Sequence, residues 1–341
     1  MTDLLSVKEL KTSFATREGE VQSVRGVSFT LNEGEVVGLV GESGSGKSVT
    51  ARSLIRLIQS PGRITDGQIL FRGEDLLNKS DSEMRKIRGN RISMIFQDPM
   101  TSLNPVVRVG KQMIEVIRRH RKMDKSAARK EAIELLRQVG IPSPEERIDQ
   151  YPHEFSGGMR QRVMIAMALS CKPELLIADE PTTALDVTIQ AQILQLMQEL
   201  KESTQTSILM ITHDLGVVAQ VCTRVIVMYG GLIMEEGPVE RIFAHPQHPY
   251  TQGLLRSIPK PGEEGGRQRL ATIEGTPPNL LHPPTGCPFM ERCPHAMEVC
   301  KQMPEYTETA PGHRALCWLL NDEDRNQHQE QLGTRTEEVE K

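Results

Sequence analysis

Residues 41–48 have the residue types and spacing with the most direct chemical meaning. A glycine, four further residues and Gly-Lys-Ser follow the apolar run at 36–40. Glycines let backbone N–H groups turn toward phosphate oxygens, Lys47 supplies positive charge, and the Ser48 hydroxyl can ligate Mg²⁺. The sequence therefore predicts a phosphate-binding loop, with a glycine-rich turn as the alternative. Its residues are Gly41, Glu42, Ser43, Gly44, Ser45, Gly46, Lys47 and Ser48.

A pair of carboxylates provides a second chemical signal. The apolar run 175–178 ends on Asp179 and Glu180. Nucleotide hydrolases hold Mg²⁺ and orient an attacking water with carboxylates placed in this way. Asp179 is the candidate metal ligand and Glu180 the candidate catalytic group; two surface residues are the alternative.

These groups need strands and helices to position them. A buried strand must lead into the loop, and residues 49–58 have the apolar spacing of the helix that leaves it. A strand-like run at 91–96 delivers Gln97. Strands at 175–178 and 207–212 are separated by a helical pattern, and this alternation predicts a parallel sheet.

Two regions differ from this alternation. Residues 104–172 are predicted to be mainly helical, whereas past residue 237 prolines cluster and helical periodicity fades. The second change predicts a separate, loop-rich C-terminal region. From residue 321 the sequence is polar and mostly acidic, which predicts disorder.

Composition limits the functions that fit the chain. It has 341 residues, a formal net charge of -4 and a pI near 6.2, so we expect no nucleic-acid partner. Its apolar runs are of strand length, which predicts no membrane span, and the N-terminus lacks the features of a secretory signal. We therefore expect a cytosolic protein.

A Ser-Gly-Gly turn opens a further predicted helix. Ser156, Gly157 and Gly158 would present a hydroxyl and free N–H groups at a helix N-terminus, which is a second candidate anion site. Read alone, this segment also fits an ordinary capped helix.

Taken in order, these motifs resemble the ATP-binding subunits of ATP-binding cassette (ABC) transporters. The resemblance covers roughly residues 4–257 and rests on the phosphate loop, Gln97, the Ser-Gly-Gly signature, Asp179-Glu180, the loop 184–186, and His213 in Ile-Thr-His-Asp. It implies an α/β fold: a P-loop NTPase core with a RecA-like sheet and an α-helical subdomain, here followed by a Pro/Cys-rich extension. The implied boundaries are 1–237 for the ATP-binding domain, with helical subdomain 104–172, then 238–320 for the extension and 321–341 for a disordered acidic tail.

The resemblance also implies roles for individual residues. Lys47 and the loop backbone would hold ATP phosphates, Ser48 and Asp179 would hold Mg²⁺, and Glu180 would polarise the attacking water. Gln97 would sense metal and water, His213 would contact the γ phosphate, and Phe14 would stack on adenine unless it is simply buried. Ser156, Gly157 and Gly158 would close over ATP on a partner subunit, with Asp186 at that interface.

Two segments are similar to the dipeptide and oligopeptide importer branch of this family. They are residues 96–105 and the His-Pro-Tyr-containing stretch 245–251. The resemblance implies two membrane-spanning permease subunits, a second, non-identical ATPase subunit, and an extracytoplasmic peptide-binding protein. It places the chain at the cytoplasmic face of the membrane. Nickel, glutathione and antimicrobial peptides remain alternative cargoes.

Four cysteines suggest a metal centre in the C-terminal region. Cys287, Cys293, Cys300 and Cys317 are separated by five, six and sixteen residues, without the paired knuckles of a zinc ribbon. This loose spacing favours a 4Fe-4S cluster, with zinc as the alternative. The same array occurs in peptide-importer ATPases, where the resemblance implies an iron–sulfur cluster. His295 and His313 are alternative ligands.

Two other functions fit the sequence less well than an importer ATPase does. ABC proteins that act on nucleic acid or the ribosome usually have two cassettes or a long insertion, and this chain shows neither. A small-molecule kinase would share the phosphate loop but not the Ser-Gly-Gly signature.

Overall fold

The computed structural model describes residues 3–97, 102–182, 187–258 and 272–321. Within these ranges the chain forms one four-stranded and one eight-stranded sheet. The strands are β1 Asp3–Ala15, β2 Glu20–Asn32, β3 Val36–Val40, β4 Gly62–Phe71, β5 Glu74–Asp75, β6 Ile92–Ile95, β7 Leu175–Asp179, β8 Ser207–Ile211, β9 Arg224–Tyr229, β10 Leu232–Pro238, β11 Tyr306–Ala310 and β12 His313–Leu316.

The described helices lie mostly between strands of the larger sheet. They are α1 Lys47–Leu54, α2 Asp81–Ile87, α3 Val109–Arg121, α4 Lys125–Gln138, α5 Pro144–Arg147, α6 Gly157–Leu169, α7 Val187–Thr204, α8 Leu215–Val221, α9 Val239–Ala244 and α10 Pro249–Arg256. Helices α3 to α6 confirm the helical texture predicted for 104–172.

The eight-stranded sheet carries the centre of the molecule. Its strand order is β11-β12-β10-β9-β3-β8-β7-β6, and β3 and β6 to β9 pair in parallel, as the alternation predicted. Strand β3 is buried on both faces. Val37 and Leu39 belong to the core shared with the antiparallel sheet β2-β1-β4-β5, and Val36 and Val40 to the core shared with the helical region.

The C-terminal region is not separate from this sheet. Strand β12 pairs antiparallel with β10, placing Arg314 opposite Glu236, and β11 extends the edge. Helices α9 and α10 follow β10 directly. The predicted loop-rich region therefore continues the larger sheet through a strand pairing between distant parts of the chain, which the sequence did not predict. Its boundary at residue 238 stays a prediction.

Helix α1 ends earlier than its apolar spacing predicted. It stops at Leu54 rather than residue 58, and Arg56 takes a left-handed φ of 53° while its N–H donates to the Ser53 carbonyl. A left-handed residue ends α-helical hydrogen bonding. The apolar side chains that follow, Leu57 among them, pack from a turn against the core.

In the described part of the chain, no helix has the length and apolar character needed to cross a membrane.

Candidate functional site

The predicted site residues meet where parallel strands end. Strands β3, β8, β7 and β6 are neighbours in that order, and their carboxyl ends lie at one edge of the sheet. The phosphate loop follows β3, Asp179 ends β7, and His213 and Gln97 come shortly after β8 and β6. The topology thus collects residues that are far apart in the sequence.

Two glycines allow the loop to turn tightly. Gly41 has φ +148°, and a Cβ there would lie 2.1 Å from the Met228 carbonyl oxygen. Gly46, at the start of α1, has φ +103°, and its Cβ would lie 2.4 Å from the Ser23 carbonyl oxygen. Neither position has room for a side chain, so the close approach of neighbouring backbone requires glycine.

Lys47 is folded back over the loop. Its Nζ donates to the carbonyl oxygens of Gly41 at 2.7 Å and Glu42 at 2.8 Å, and the side chain is buried. Burial lowers the pKa of Lys47, while the charges of Glu180, Asp179 and Glu42 act in the opposite direction. The ammonium is therefore placed at the centre of the loop, with carboxylates nearby to favour its charged form.

Ser48 and Asp179 form a pair suited to a divalent cation. Ser48 Oγ donates to Asp179 Oδ1 at 2.9 Å. Asp179 is fully buried, and its Oδ2 has no hydrogen-bond partner among the described residues. Burial raises the pKa of Asp179, which the Ser48 hydrogen bond opposes. A buried carboxylate oxygen without a partner, next to a hydroxyl, fits the oxygen ligands that Mg²⁺ prefers.

Glu180 is held by the two other predicted catalytic side chains. Gln97 Nε2 donates to Glu180 Oε2 at 2.8 Å, and His213 Nδ1 lies 3.4 Å from Glu180 Oε1. Both predicted partners therefore reach the same carboxylate. A carboxylate fixed at both oxygens can orient a water and accept its proton, and bound Mg²⁺ would neutralise charge developing on a phosphate.

The signature segment begins helix α6. Ser156 caps this helix by accepting the Met159 N–H at 3.3 Å, while Ser156 and Gly157 are exposed. No heavy atom lies within 4 Å of a Cβ built on Gly157. The helix thus presents an open N-terminus, as both the anion-site and the capped-helix interpretations require.

Gln161 connects helix α6 to the segment that follows strand β7, a contact that the sequence did not predict. Its buried side chain donates from Nε2 to the Pro181 carbonyl oxygen at 2.6 Å, one residue after Glu180. Gln161 lies between Arg160 and Arg162 in the sequence, so nothing there indicated that its side chain would be buried.

Four other predictions have different outcomes. Phe14 is half-buried on β1, with its ring against Gly62, so packing accounts for it and its adenine contact stays a prediction. Asp186 and the loop 184–186 lie outside the described residues, as do residues 98–101 of the importer-like motif and 322–341 of the tail.

The extension reaches the phosphate loop, which the sequence did not predict. The Glu42 N–H donates to the Tyr250 hydroxyl at 2.8 Å, and Arg292 binds both carboxylate oxygens of Glu42. The pocket of about 320 Å³ beside the loop has walls from both regions, including His213 and Ile273. Tyr250 is buried and also packs on the rings of Tyr229 and Phe289.

The four C-terminal cysteines are free thiols. Among described residues, no group of three or more His, Cys, Asp or Glu side chains is arranged to hold a metal ion. The arrangement of the side chains therefore supports neither a 4Fe-4S cluster nor zinc. Burial raises the pKa of Cys317, and repulsion from ionised Cys287, Cys293 and Cys300 raises it further, so the four sulfurs lie near one another.

Histidine as a substitute metal ligand fails for His313. Its Nε2 lies 2.8 Å from Glu235 Oε1 in a fully buried pair. Glu235 also accepts the backbone N–H groups of Gln247 and His248. His313 therefore joins β12 to β10 and to the start of α10. For His295, the backbone N–H interacts with the sulfur of Cys293.

Comparison with known proteins gives consistent results. The family model described as ABC transporter matches residues 24–183, and that described as oligopeptide/dipeptide transporter, C-terminal region, matches 234–300. The chain is 57% identical over 321 residues to the dipeptide transport ATP-binding protein DppD of Bacillus subtilis, covering 94% of this chain and 95% of that protein. It is 53% identical to the oligopeptide transport ATP-binding protein OppD of Escherichia coli, covering 92% and 93%.

A solved structure supports the fold. A dimeric ATP-binding cassette in a post-hydrolysis state with ADP and Pi matches with TM-score 0.63 and 27% identity, covering 69% of this chain and 98% of that chain. The match extends the agreement from motifs to the fold that positions the loop, Asp179 and Glu180. The chain therefore belongs to the ABC transporter family, in its oligopeptide/dipeptide branch, as an ATP-hydrolysing subunit.

Proposed function

We propose that this chain hydrolyses ATP to power the import of dipeptides or oligopeptides across the cytoplasmic membrane. One observation carries the cargo assignment: the C-terminal region matches the oligopeptide/dipeptide transporter model, within a near-full-length likeness to DppD and OppD. The Glu180 cluster beside the phosphate loop supplies the ATP-hydrolysing machinery that such import requires.

In this proposal the site residues divide the work of ATP hydrolysis. The loop backbone of residues 41–48 and Lys47 bind the β and γ phosphates, while Ser48 and Asp179 hold Mg²⁺. Glu180 accepts a proton from the attacking water, with Gln97 and His213 orienting its two oxygens. The hydrogen bond between Ser48 and Asp179, and the two contacts of Glu180, support these roles. Phe14 stacks on adenine.

The proposed assembly places two ATP sites between two ATPase subunits. Ser156, Gly157 and Gly158 close over nucleotide bound to a second, non-identical subunit, and Asp186 lies at that interface. The exposed N-terminus of α6 supports this, because it leaves N–H groups free for an anion. Two permease subunits and an extracytoplasmic peptide-binding protein complete the importer, and this chain binds peripherally at the cytoplasmic face.

We also propose that Cys287, Cys293, Cys300 and Cys317 hold a 4Fe-4S cluster. Backbone N–H groups interact with three of the sulfurs, from Phe289 and Met290 to Cys287, from His295 to Cys293 and from Leu319 to Cys317. Burial raises the pKa of these three thiols, and the backbone donors act in the opposite direction by stabilising the thiolates. The sulfur ligands of a multi-iron cluster lie farther apart than those of a single zinc ion. A cluster therefore suits four neighbouring thiols that are not arranged around one metal ion.

Uptake of a labelled di- and oligopeptide panel tests the cargo. The host carries either the wild type or Glu180→Gln, which keeps the shape of the side chain and removes the carboxylate that accepts the proton. We expect peptide uptake to fall to background in Glu180→Gln. Glu74→Gln is the matched control, because Glu74 is an exposed carboxylate paired with Lys79 on the short strand β5.

Uptake of nickel and glutathione is measured in the same cells. Unchanged uptake of every peptide, with loss of nickel or glutathione uptake in Glu180→Gln, would replace the peptide assignment by one of those cargoes.

A further inference from the structure

Arg292 forms an ion pair with the second residue of the phosphate loop from 250 positions away. Its Nη1 and Nη2 donate to the two Glu42 carboxylate oxygens at 2.6 and 3.0 Å. This is the fork-to-fork geometry in which Arg binds a carboxylate most specifically. The Arg292 side chain is only 5% exposed, so water screens the pair weakly.

The surroundings leave the Arg292 guanidinium little freedom. It also donates to the carbonyl oxygens of Ile273 at 3.0 Å and Glu274 at 2.8 Å and to the Tyr229 hydroxyl at 3.0 Å. It lies 5.6 Å from the ring centroid of Tyr229 and 5.9 Å from that of Phe289. A guanidinium with this many partners holds Glu42 in one position.

Glu42 is connected in turn to the centre of the loop. Its carbonyl oxygen accepts from Lys47 Nζ at 2.8 Å, and its N–H donates to the Tyr250 hydroxyl. Its backbone N–H and its carboxylate are therefore both bound by the extension. Glu42 is thus the loop residue through which the extension contacts the predicted nucleotide site.

Arg292 itself lies in the cysteine segment, residues 287–317, which contains the four C-terminal cysteines. Arg292 ends a 3₁₀ turn, Met290–Arg292, that lies between Cys287 and Cys293. The N–H of Met290 donates to the Cys287 carbonyl and that of Cys293 to the Met290 carbonyl. The turn that carries Arg292 is therefore joined by backbone hydrogen bonds to both Cys287 and Cys293.

We propose that Arg292 is a positioning residue for ATP binding, through which the C-terminal cysteine segment sets the geometry of the phosphate loop. Release of Arg292 leaves Glu42 without its partner, and the Glu42 carbonyl that helps to place Lys47 shifts with it. ATP affinity then falls while the catalytic carboxylate Glu180 stays in place. The inference depends on ATP binding and hydrolysis and is independent of the transported cargo.

The test measures MgATP binding by calorimetry, and KM and kcat for hydrolysis, on the full chain. We expect Arg292→Gln to raise the Kd and KM for ATP about tenfold, with a smaller change in kcat. Arg292→Lys, which retains the charge, should recover part of the affinity. Glu42→Gln should match Arg292→Gln, and the double variant should show no further loss, because both changes remove one interaction.

Arg314→Gln is the matched control. Arg314 also joins the extension to the core, donating to Glu236 Oε2 at 2.7 and 3.0 Å and to the Ser28 carbonyl, but it does not contact the phosphate loop. Urea unfolding of all variants separates loss of stability from loss of affinity. We expect Arg314→Gln to lose stability while it binds ATP like the wild type.

Three results would overturn the proposal. They are a wild-type Kd for ATP in both Arg292→Gln and Glu42→Gln, the same loss of affinity in Arg314→Gln, and fully additive effects in the double variant. If Arg292→Gln does not fold, Glu42→Gln decides alone, since it removes the ion pair and leaves the Arg292 contacts to Ile273, Glu274 and Tyr229.

Discussion

Glu180 adopts a backbone conformation that a non-glycine residue rarely takes. Its φ is +48°, and its N–H donates to the Ile211 carbonyl at 2.9 Å at the end of the neighbouring strand β8. Such conformations cost roughly 1–3 kcal/mol and concentrate at functional sites. Here the turn directs the carboxylate toward Gln97 and His213 immediately after the buried Asp179. The carboxylate proposed to bind metal, Asp179, and the one proposed to be catalytic, Glu180, are thus adjacent in the sequence.

Gly41 permits a residue-scale prediction about the phosphate loop. In Gly41→Ala the new Cβ would meet the Met228 carbonyl at 2.1 Å in a conformation unfavourable to L-residues. We expect a loss of about 3 kcal/mol in the free energy of unfolding, measured in urea, because strain and overpacking act together. Gly73→Ala is the control: its φ is +78° with open space around it. Equal losses in the two variants would contradict the steric account.

The residues of this site show what a single sequence can predict. Lys47, Ser48, Asp179 and Glu180 were identified from motifs whose chemistry is local: a glycine-rich turn after a strand and carboxylates at a strand end. The partners of Glu42 could not be found in this way. Arg292 and Tyr250 reach the loop only because β10 and the segments after it fold back onto the sheet, and no periodicity records that contact.

At the scale of elements, helix α10 begins at a buried histidine. His248 caps the helix by accepting the Tyr250 N–H at Nδ1, while its Nε2 has no partner in the part of the chain that the structure describes. Burial lowers the pKa of His248 to about 4, although Glu235 acts in the opposite direction. The His-Pro-Tyr motif therefore has a structural explanation: a neutral histidine cap, a proline in the first turn, and a tyrosine directed at the phosphate loop.

His248 should make the stability of the chain depend on pH. The unfolded chain, with an ordinary histidine pKa near 6.5, binds a proton that the folded chain does not bind until pH falls to about 4. Stability from this group is therefore present above pH 6.5 and decreases as pH falls from 6.5 to 4. We expect about 2 kcal/mol of this loss between pH 7 and pH 5, from the size of the shift.

Urea unfolding of His248→Asn at the two pH values checks this prediction. An asparagine can still cap α10, so the variant should lose less stability between pH 7 and pH 5 than the wild type does. His153→Asn, at an exposed histidine, should keep the wild-type dependence. The same loss in His248→Asn as in the wild type would show that other groups cause it.

The cysteine segment is the element whose chemistry is most directly measurable. We expect Cys293→Ser, purified without oxygen, to lose the iron content and visible absorbance of a 4Fe-4S cluster and to unfold more easily, because metal binding contributes folding free energy. Cys171→Ser is the control, since Cys171 contacts Ser170 in the helical region. Unchanged iron in Cys293→Ser would disprove the ligand assignment, and zinc in its place would support the alternative.

At the scale of the whole molecule, two distant parts of the chain share one sheet. Strands β3 and β6 to β9 form the parallel centre that the alternation of strands and helices predicted. The antiparallel strands β10 to β12 extend it from the C-terminal side. The fold class was thus predictable from alternation and motif order. The pairing of the extension with this sheet could not be predicted, because β11 and β12 are short and β11 is mostly exposed.

This architecture has a consequence for how the subunit works. The ATP site lies at the carboxyl ends of the parallel strands, and the extension binds the loop at the start of that site through Glu42. ATP binding and the state of the extension are therefore expected to influence each other by equal free energies, as linkage requires.

The most direct test of the account is ATP turnover by the purified chain carrying Glu180→Gln, together with the identity of the nucleotide that stays bound. We predict that turnover falls at least about a hundredfold, because general-base assistance is lost, while the protein retains unhydrolysed ATP. Hydrolysis at the wild-type rate, with ADP as the bound product, would contradict the assignment of Glu180 as the catalytic carboxylate.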